Sequence, residues 1–261
     1  MNKNIRGRQN DNMKKRYLIF CLVAFILLTF FLYHYGNNIN NDVYTDDIVI
    51  LDNSDDKTLY PMNNIEETEQ NEFERLWKQY QNNDIKALLR IKGLNYQAVI
   101  PQGVNNKFYL NHLLNRSYGG MGTPFLDARV DLQKDRKLLI YGHNSSKYDM
   151  PFKILENYYD KNFYKKYPYI ELETENGIRT YQIFSVYVET KDFSYYNKLK
   201  FTSNDEYYRH ISILKDKSFF DTGVSLNKND NILILQTCST LKKYKNLKKK
   251  YLLIISKEVN L

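Results

Sequence analysis

Beyond Lys86 the chain repeats one pattern eight times: a short apolar run bounded by turn-forming residues. The runs are Leu88–Ile91, Ala98–Ile100, Phe125–Ala128, Lys137–Tyr141, Tyr169–Glu173, Arg179–Val188, Ile232–Gln236 and Tyr251–Ser256. Their length and composition predict strands. Gly119-Gly120 and Glu175-Asn176-Gly177 mark turns between them. Eight strands without regularly intervening helices predict a mainly β fold, a closed or nearly closed barrel. Helical spacing appears in three places. Phe73, Leu76, Trp77 and Tyr80 share one face of a segment from Asn63 to Asn83. Phe152–Lys165 is a second helical stretch. A third begins at Ser203, whose pairing with Glu206 is a capping-box pattern, and continues with Tyr207, Ile211 and Leu214 on one face.

The N-terminal part obeys other physics. Residues 1–16 carry six Lys and Arg against one Asp and hold most of the formal charge of +8. Residues 17–33, YLIFCLVAFILLTFFLY, contain no charge, Pro or Gly. A helix of that length spans about 25 Å, near the lower limit for a bilayer core. Basic residues flank it on the N-terminal side alone, which keeps that side cytoplasmic and puts the rest outside. The bulky Thr29-Phe30-Phe31-Leu32-Tyr33 offers no small-residue cleavage site, so an uncleaved signal anchor is favoured over a cleaved signal peptide. The stretch 34–62, rich in Asp and Asn, reads as an extracellular linker, and 63–261 as the catalytic domain. The basic arm has this topological use, so nucleic-acid binding is not needed to explain it. A second basic run, Lys242 to Lys250, reads as a solvated loop.

Cysteine arithmetic narrows the chemistry. Of two cysteines, Cys21 lies in the apolar run, which leaves Cys238 alone on the outer side. A single thiol there is an intermolecular bridge, an inert buried residue or a nucleophile. No second thiol or clustered His and carboxylate motif accompanies it, so no metal is expected. Cys238 follows the apolar run Ile232–Gln236 and Thr237. His143 follows Lys137–Tyr141 and Gly142. If two strand ends meet at one barrel rim, thiol and imidazole come together. A thiolate attacks, and an imidazole protonates the leaving amine and deprotonates the incoming one. Gly142 removes bulk beside the imidazole and permits an unusual backbone angle. His210, among Tyr207, Tyr208 and Ile211, reads as packing, and His112 as part of an element laid on the barrel.

Several segments then resemble a known family. Leu138-Leu139-Ile140-Tyr141-Gly142-His143-Asn144 resembles the catalytic-histidine strand of class B sortases. Ile234-Leu235-Gln236-Thr237-Cys238 is similar to the sortase Thr-x-Thr-Cys strand, with Leu235 departing from the first Thr. Further similarity lies in Tyr118-Gly119-Gly120-Met121-Gly122-Thr123-Pro124-Phe125-Leu126-Asp127, in Phe152 through Tyr164 to Ile170, and in the helical insertion from Ser203. The resemblance covers roughly residues 64–257. It implies a sortase-type eight-stranded β-barrel with N-terminal helices and a helical insertion before the cysteine strand. It also implies an extracellular cysteine transpeptidase on a Gram-positive-type envelope. Such an enzyme cleaves Asn-Pro-x-Thr-x-like sorting signals of surface proteins and joins them, through a thioester, to an amine of peptidoglycan or its lipid-linked precursor. The resemblance implies no organic cofactor. No sorting signal follows the last strand, as expected of an anchoring enzyme and not of its substrate.

One departure matters. The family places an Arg at the start of the strand after the cysteine, where it binds substrate and stabilises the oxyanion. No Arg follows Arg209 here, and the matching register holds Tyr251 with Lys250 adjacent. Lys250 supplies charge without the planar fork of guanidinium donors, and Tyr251 supplies one neutral hydrogen bond. Thr237 is expected to position the thiol. Two rival functions are a cysteine hydrolase of similar peptides and an inactive module that binds sorting signals.

Overall fold

The computed structural model describes residues 72–260. The basic arm 1–16, the apolar run 17–33 and the linker 34–62 lie outside the described residues, as does 63–71. Among the described residues, no helix is long and apolar enough to cross a membrane.

Eight strands form one sheet: β1 (Ile85–Ile91), β2 (Gln97–Pro101), β3 (Phe125–Leu126), β4 (Lys137–Tyr141), β5 (Tyr169–Thr174), β6 (Gly177–Glu189), β7 (Ile232–Cys238) and β8 (Tyr251–Val259). Their order is β2-β1-β5-β6-β8-β7-β4-β3. All neighbours run antiparallel except β4 and β7, which are parallel. The end strands β2 and β3 approach each other and nearly close the barrel. Side-chain amides stitch this seam, because two short strands leave backbone groups unpaired there. Gln102 Nε2 donates to the carbonyls of Asp127 (2.9 Å) and Val130 (2.7 Å). Asn106 accepts from Ala128 N (2.7 Å).

Two cores lie on opposite faces of the central strands. Leu138, Ile140, Leu233, Leu235, Leu252 and Ile254 fill the barrel interior. Leu139, Ile232, Ile234, Leu253 and Ile255 pack outward, beneath α4 (Asn204–Asp216). Burial on both faces explains why β4, β7 and β8 read as unbroken apolar runs. β5 alternates instead. Ile170 and Leu172 point in, while Glu171 and Glu173 face outward and pair with Lys92 and Arg90. α1 (Glu72–Tyr80) buries Phe73 and Leu76 in a small third core with Ile85 and Leu88, as its apolar spacing required.

The helical stretches differ from expectation in detail. Phe152–Lys165 divides into a 3₁₀ segment, Pro151–Tyr159, and α2 (Lys161–Lys166), because Asp160 caps the second piece by accepting from Asn162 N. A short α3 (Phe193–Tyr196), capped by Asp192, had no apolar periodicity to announce it. Ser203 caps α4 by accepting from Glu206 N (3.1 Å). The reciprocal half of the box is shifted: the Glu206 carboxylate accepts from Thr202 N (2.6 Å), one residue further back.

Candidate active site

The parallel β4–β7 pair brings the two sequence-predicted residues to neighbouring strand ends. Tyr141 pairs with Gln236, and Gly142 N donates to Gln236 O (3.0 Å). His143 and Cys238 each stand two positions beyond that rung. Asn144 Nδ2 then donates to the carbonyl of Cys238 (3.0 Å) and ties the two ends together. Strand alternation fixes the face. Ile234 and Gln236 lead to Cys238, the last residue of β7, on the face opposite Thr237, whereas His143 lies two residues past the end of β4. Leu139, Tyr141 and Ile234 belong to the outer core, not the barrel interior.

On the histidine side, the imidazole Nε2 lies 2.8 Å from the carbonyl of Leu110. A carbonyl only accepts, so Nε2 carries the proton and Nδ1 is the nitrogen left for acid–base work. Leu110 is itself held in place. Its neighbour Tyr109 is fully buried and donates to Asp84 Oδ2 (2.7 Å), while Thr123 N donates to Tyr109 O (2.9 Å). Gly142 has no positive φ, so the backbone-angle expectation fails. Its reason is space: a Cβ there would meet the Phe152 ring at 2.5 Å.

On the cysteine side, the Cys238 side chain is exposed and free of disulfide. The protein surrounding it pushes the thiol above its ordinary pKa, and the Lys250 charge opposes this. Tyr251 pairs directly with Cys238 across β7–β8 and packs edge-to-face on Phe193, ring centroids 5.2 Å apart. Burial, then the neighbouring sulfur, raises the Tyr251 phenol, so it remains a neutral donor. Lys250 is half-buried, and its ammonium donates to the carbonyls of Leu247 (3.2 Å) and Lys245 (3.4 Å). Thr237 is buried on the opposite face, over Leu252 in the barrel interior, and its hydroxyl has no hydrogen-bond partner. Whatever it does for the thiol passes through the backbone.

The sequence reading missed the anchor behind His143. Asp127 is fully buried and accepts from Tyr141 Oη (2.6 Å), Asn106 Nδ2 (3.0 Å) and the Arg129 guanidinium. Burial alone would raise its pKa. The hydrogen bonds from Arg129, Tyr141 and Asn106 outweigh it and hold the carboxyl at about 2. Its signal was present, since Asp127 ends a quoted motif, but nothing in the sequence paired it with Tyr141. Tyr196 of α3 donates to Gln236 (2.5 Å) and sets the other wall. The remaining candidate histidines stand apart. His112 stacks on Phe108 at 4.0 Å, and its Nδ1 is engaged by the Phe108 carbonyl; His210 is on the buried face of α4. Among the described residues no group of three or more His, Cys, Asp and Glu side chains could hold a metal ion.

An eight-stranded barrel with histidine and cysteine at the ends of its parallel pair defines a β-barrel protein of thiol–imidazole type. The chain belongs to the sortase family: the sortase domain model matches residues 89–258. It is 30% identical to sortase B of Staphylococcus aureus (strain NCTC 8325 / PS 47) over 158 residues, 60% of this chain and 64% of that protein. It is 31% identical to sortase B of Listeria monocytogenes serovar 1/2a over 166 residues, 62% of this chain and 66% of that protein. The chain thus spans just under two thirds of these relatives' length. Among solved structures, Clostridium perfringens sortase B superposes with a TM-score of 0.65 at 30% identity, covering 72% of this chain and 99% of that one. A Staphylococcus aureus sortase B–substrate complex gives 0.64 at 28% identity, covering 72% and 85%.

Proposed function

We propose that the chain is a cysteine transpeptidase of the sortase B type. It cleaves a sorting signal of the Asn-Pro-x-Thr-x kind and transfers the acyl group to a cell-wall peptidoglycan amine. The observation that carries this is the placement of exposed Cys238 and half-buried His143 at the neighbouring ends of β7 and β4, which Asn144 joins. The Cys238 sulfur attacks the signal carbonyl. His143, oriented through Nε2 on Leu110 O, takes the thiol proton on Nδ1 as the C–S bond forms and hands it to the leaving amine as the C–N bond breaks. The resulting thioester waits for a second amine. A relative solved with its substrate, and a sortase B solved with triglycine, fit a donor peptide followed by an amine.

Tyr251, directly across from Cys238, and Lys250, whose charge reaches the sulfur, are the groups proposed to take over from the absent family Arg. An oxyanion donor typically contributes a factor of about a hundred or more. Residues 17–33 serve as the anchor, with the N-terminus cytoplasmic and the barrel outside the cell.

The test is thioester trapping on the full chain with a panel of sorting-signal peptides. The adduct should form on Cys238, vanish in Cys238→Ala, and turn over faster when an amine is added. Tyr251→Phe and Lys250→Ala should each slow acylation. If neither does, neither replaces the Arg. The missing Arg favours a second reading, an inactive module that binds sorting signals. Peptide binding without any adduct would establish it. An adduct that yields only the hydrolysed peptide, whatever amine is present, would make the protein a cysteine hydrolase.

A further inference from the structure

Of the Lys242–Lys250 run, Lys250 alone has a part in the chemistry proposed for Cys238. This segment, which joins β7 to β8, holds Lys242, Lys243, Lys245, Lys248, Lys249 and Lys250 with no acidic residue among them. All but Lys250 are exposed. Among the described residues, no carboxylate lies within ion-pair distance of any of the six, although carboxylates elsewhere pair freely with Lys and Arg.

The segment is also built, not loose. Ser239 N donates to Lys250 O (2.9 Å) and closes its base. Thr240 N donates to Glu156 (2.9 Å), and Tyr159 Oη meets Ser239 Oγ at 2.8 Å. Leu241 and Tyr244 pack against the barrel core. The Lys243 ammonium lies 4.8 Å above the Phe219 ring, and that of Lys249 5.7 Å above Phe193, the ring that touches Tyr251. The result is a row of unneutralised cations beginning four residues after Cys238 and ending against its cross-strand partner.

We infer that this lysine rim selects the second substrate, and that the acyl acceptor is an amine carried on a polyanionic, carboxylate-bearing peptide. The inference rests on the transpeptidase reading and deepens it. The argument is chemical. In the first half-reaction the reacting atoms of the donor peptide are neutral, so a cationic rim does little for them. In the second, the acceptor enters as an amine that is an ammonium in bulk water and reacts only when neutral. The C–N bond forms, the C–S bond breaks, the electron pair returns to the Cys238 sulfur, and the proton lost by the amine passes to His143. A cationic rim repels a bare ammonium and favours its neutral form, while attracting carboxylates on the same molecule. Charged rims of this kind raise encounter rates by tenfold or more, and salt removes the effect.

The experiment pairs two acceptors with one amine: acetyl-Lys-Glu-Glu and the neutral-tailed acetyl-Lys-Gln-Gln-amide. On the full chain, with a fixed donor peptide, the acidic acceptor should be favoured about tenfold at low salt. The preference should fall toward unity by about 0.5 M salt. A variant with Lys242, Lys243, Lys245, Lys248 and Lys249 all changed to Gln should form the thioester at the wild-type rate yet lose the preference. Equal use of both acceptors by the wild type, or a preference that survives in the variant, overturns the inference. So does a charge preference that appears at thioester formation, with acidic donor peptides, and not at its aminolysis. If no donor forms a thioester, the transpeptidase reading fails. Titration of the same two amines into the Cys238→Ala full chain then decides this one: salt-sensitive preference for the acidic peptide upholds the rim, and equal binding sinks it.

Discussion

The two ends of β4 hold basic nitrogens in opposite ways. At its start, Lys137 is buried, and its ammonium nitrogen lies 2.5 Å from Tyr196 O, 2.8 Å from Lys198 O and 2.8 Å from His210 Nε2. Among the described residues, no carboxylate lies within ion-pair distance of it. The rings of Tyr195 and Phe201 flank His210 at 4.7 and 4.9 Å, and its Nδ1 is buried without a partner. At the other end, Asp127 is buried with Arg129 and Tyr141, and His143 stands half in solvent with one nitrogen committed and one free. Both imidazoles are oriented through Nε2. The two rings differ in burial: His210 is on the buried face of α4, while His143 follows the end of β4 and is half exposed.

The sharpest way to break this comparison is to remove each imidazole in turn. His143→Ala should lower the rate of thioester formation by about a thousandfold, within the usual range for a general acid, with little change in thermal stability. His210→Phe should keep the chemistry within about threefold, because its nitrogen reaches no solvent. Single-turnover acylation, read by mass, measures both. Equal losses from the two would erase the distinction.

The buried charges come next. Asp127→Asn leaves Arg129 and Tyr141 facing a weaker acceptor and should cost about 3 kcal/mol of stability. Acylation per folded molecule should also fall, because Tyr141 sits two residues before His143. Lys137→Met strips a donor from two carbonyls and an imidazole and should cost about 2 kcal/mol, with acylation unaltered. Urea unfolding beside acylation rates checks the pair. A Lys137 variant that loses acylation before stability would mean the two ends are coupled through the strand.

Much of this was legible in advance. Seven of the eight apolar runs lie wholly within strands, Phe125–Ala128 only by its first two residues, and Lys137–Tyr141 matches β4 residue for residue. The thiol lies inside β7 and not after it, because Thr237 faces inward over Leu252 and keeps the ladder going past the polar pair. β3 stops at Leu126 because Asp127 turns to accept from Arg129 N (2.9 Å). Contacts between residues far apart in sequence were not legible. Lys137 opens an apolar run, and His210 sits on an apolar helix face; each pattern is satisfied without the other. Leu110 O, which orients His143, is a backbone atom and has no residue signature. The lysine run was visible, but not the pairing of Tyr251 with Cys238 or the ring contacts of Lys243 and Lys249, on which the proposed rim rests.

The pH dependence of stability is the finest discriminator. Burial first, then the charges of Lys137 and Lys198, depress the His210 imidazole to about 3; Glu206 opposes them, and Lys217 adds a little. A folded pKa below the unfolded value of about 6.5 means the unfolded chain takes up the proton first. The stabilisation from the neutral ring is therefore complete above about pH 6.5 and declines as pH falls toward 3. Between pH 6.5 and 5 the loss should be about 2 kcal/mol. Asp127 cannot contribute in that interval. Its carboxyl, held at about 2, protonates in the unfolded chain only near pH 4, so its share is lost below that. Urea midpoints for the wild type should thus fall from pH 6.5 to 5, and His210→Phe should flatten that decline while Asp127→Asn leaves it intact. Lys137→Met should reduce the decline without removing it, since burial of the ring is the larger cause. An unchanged slope in His210→Phe would mean that the ring is charged on the buried face of α4 after all, and that the two ends of β4 differ less than their geometry implies.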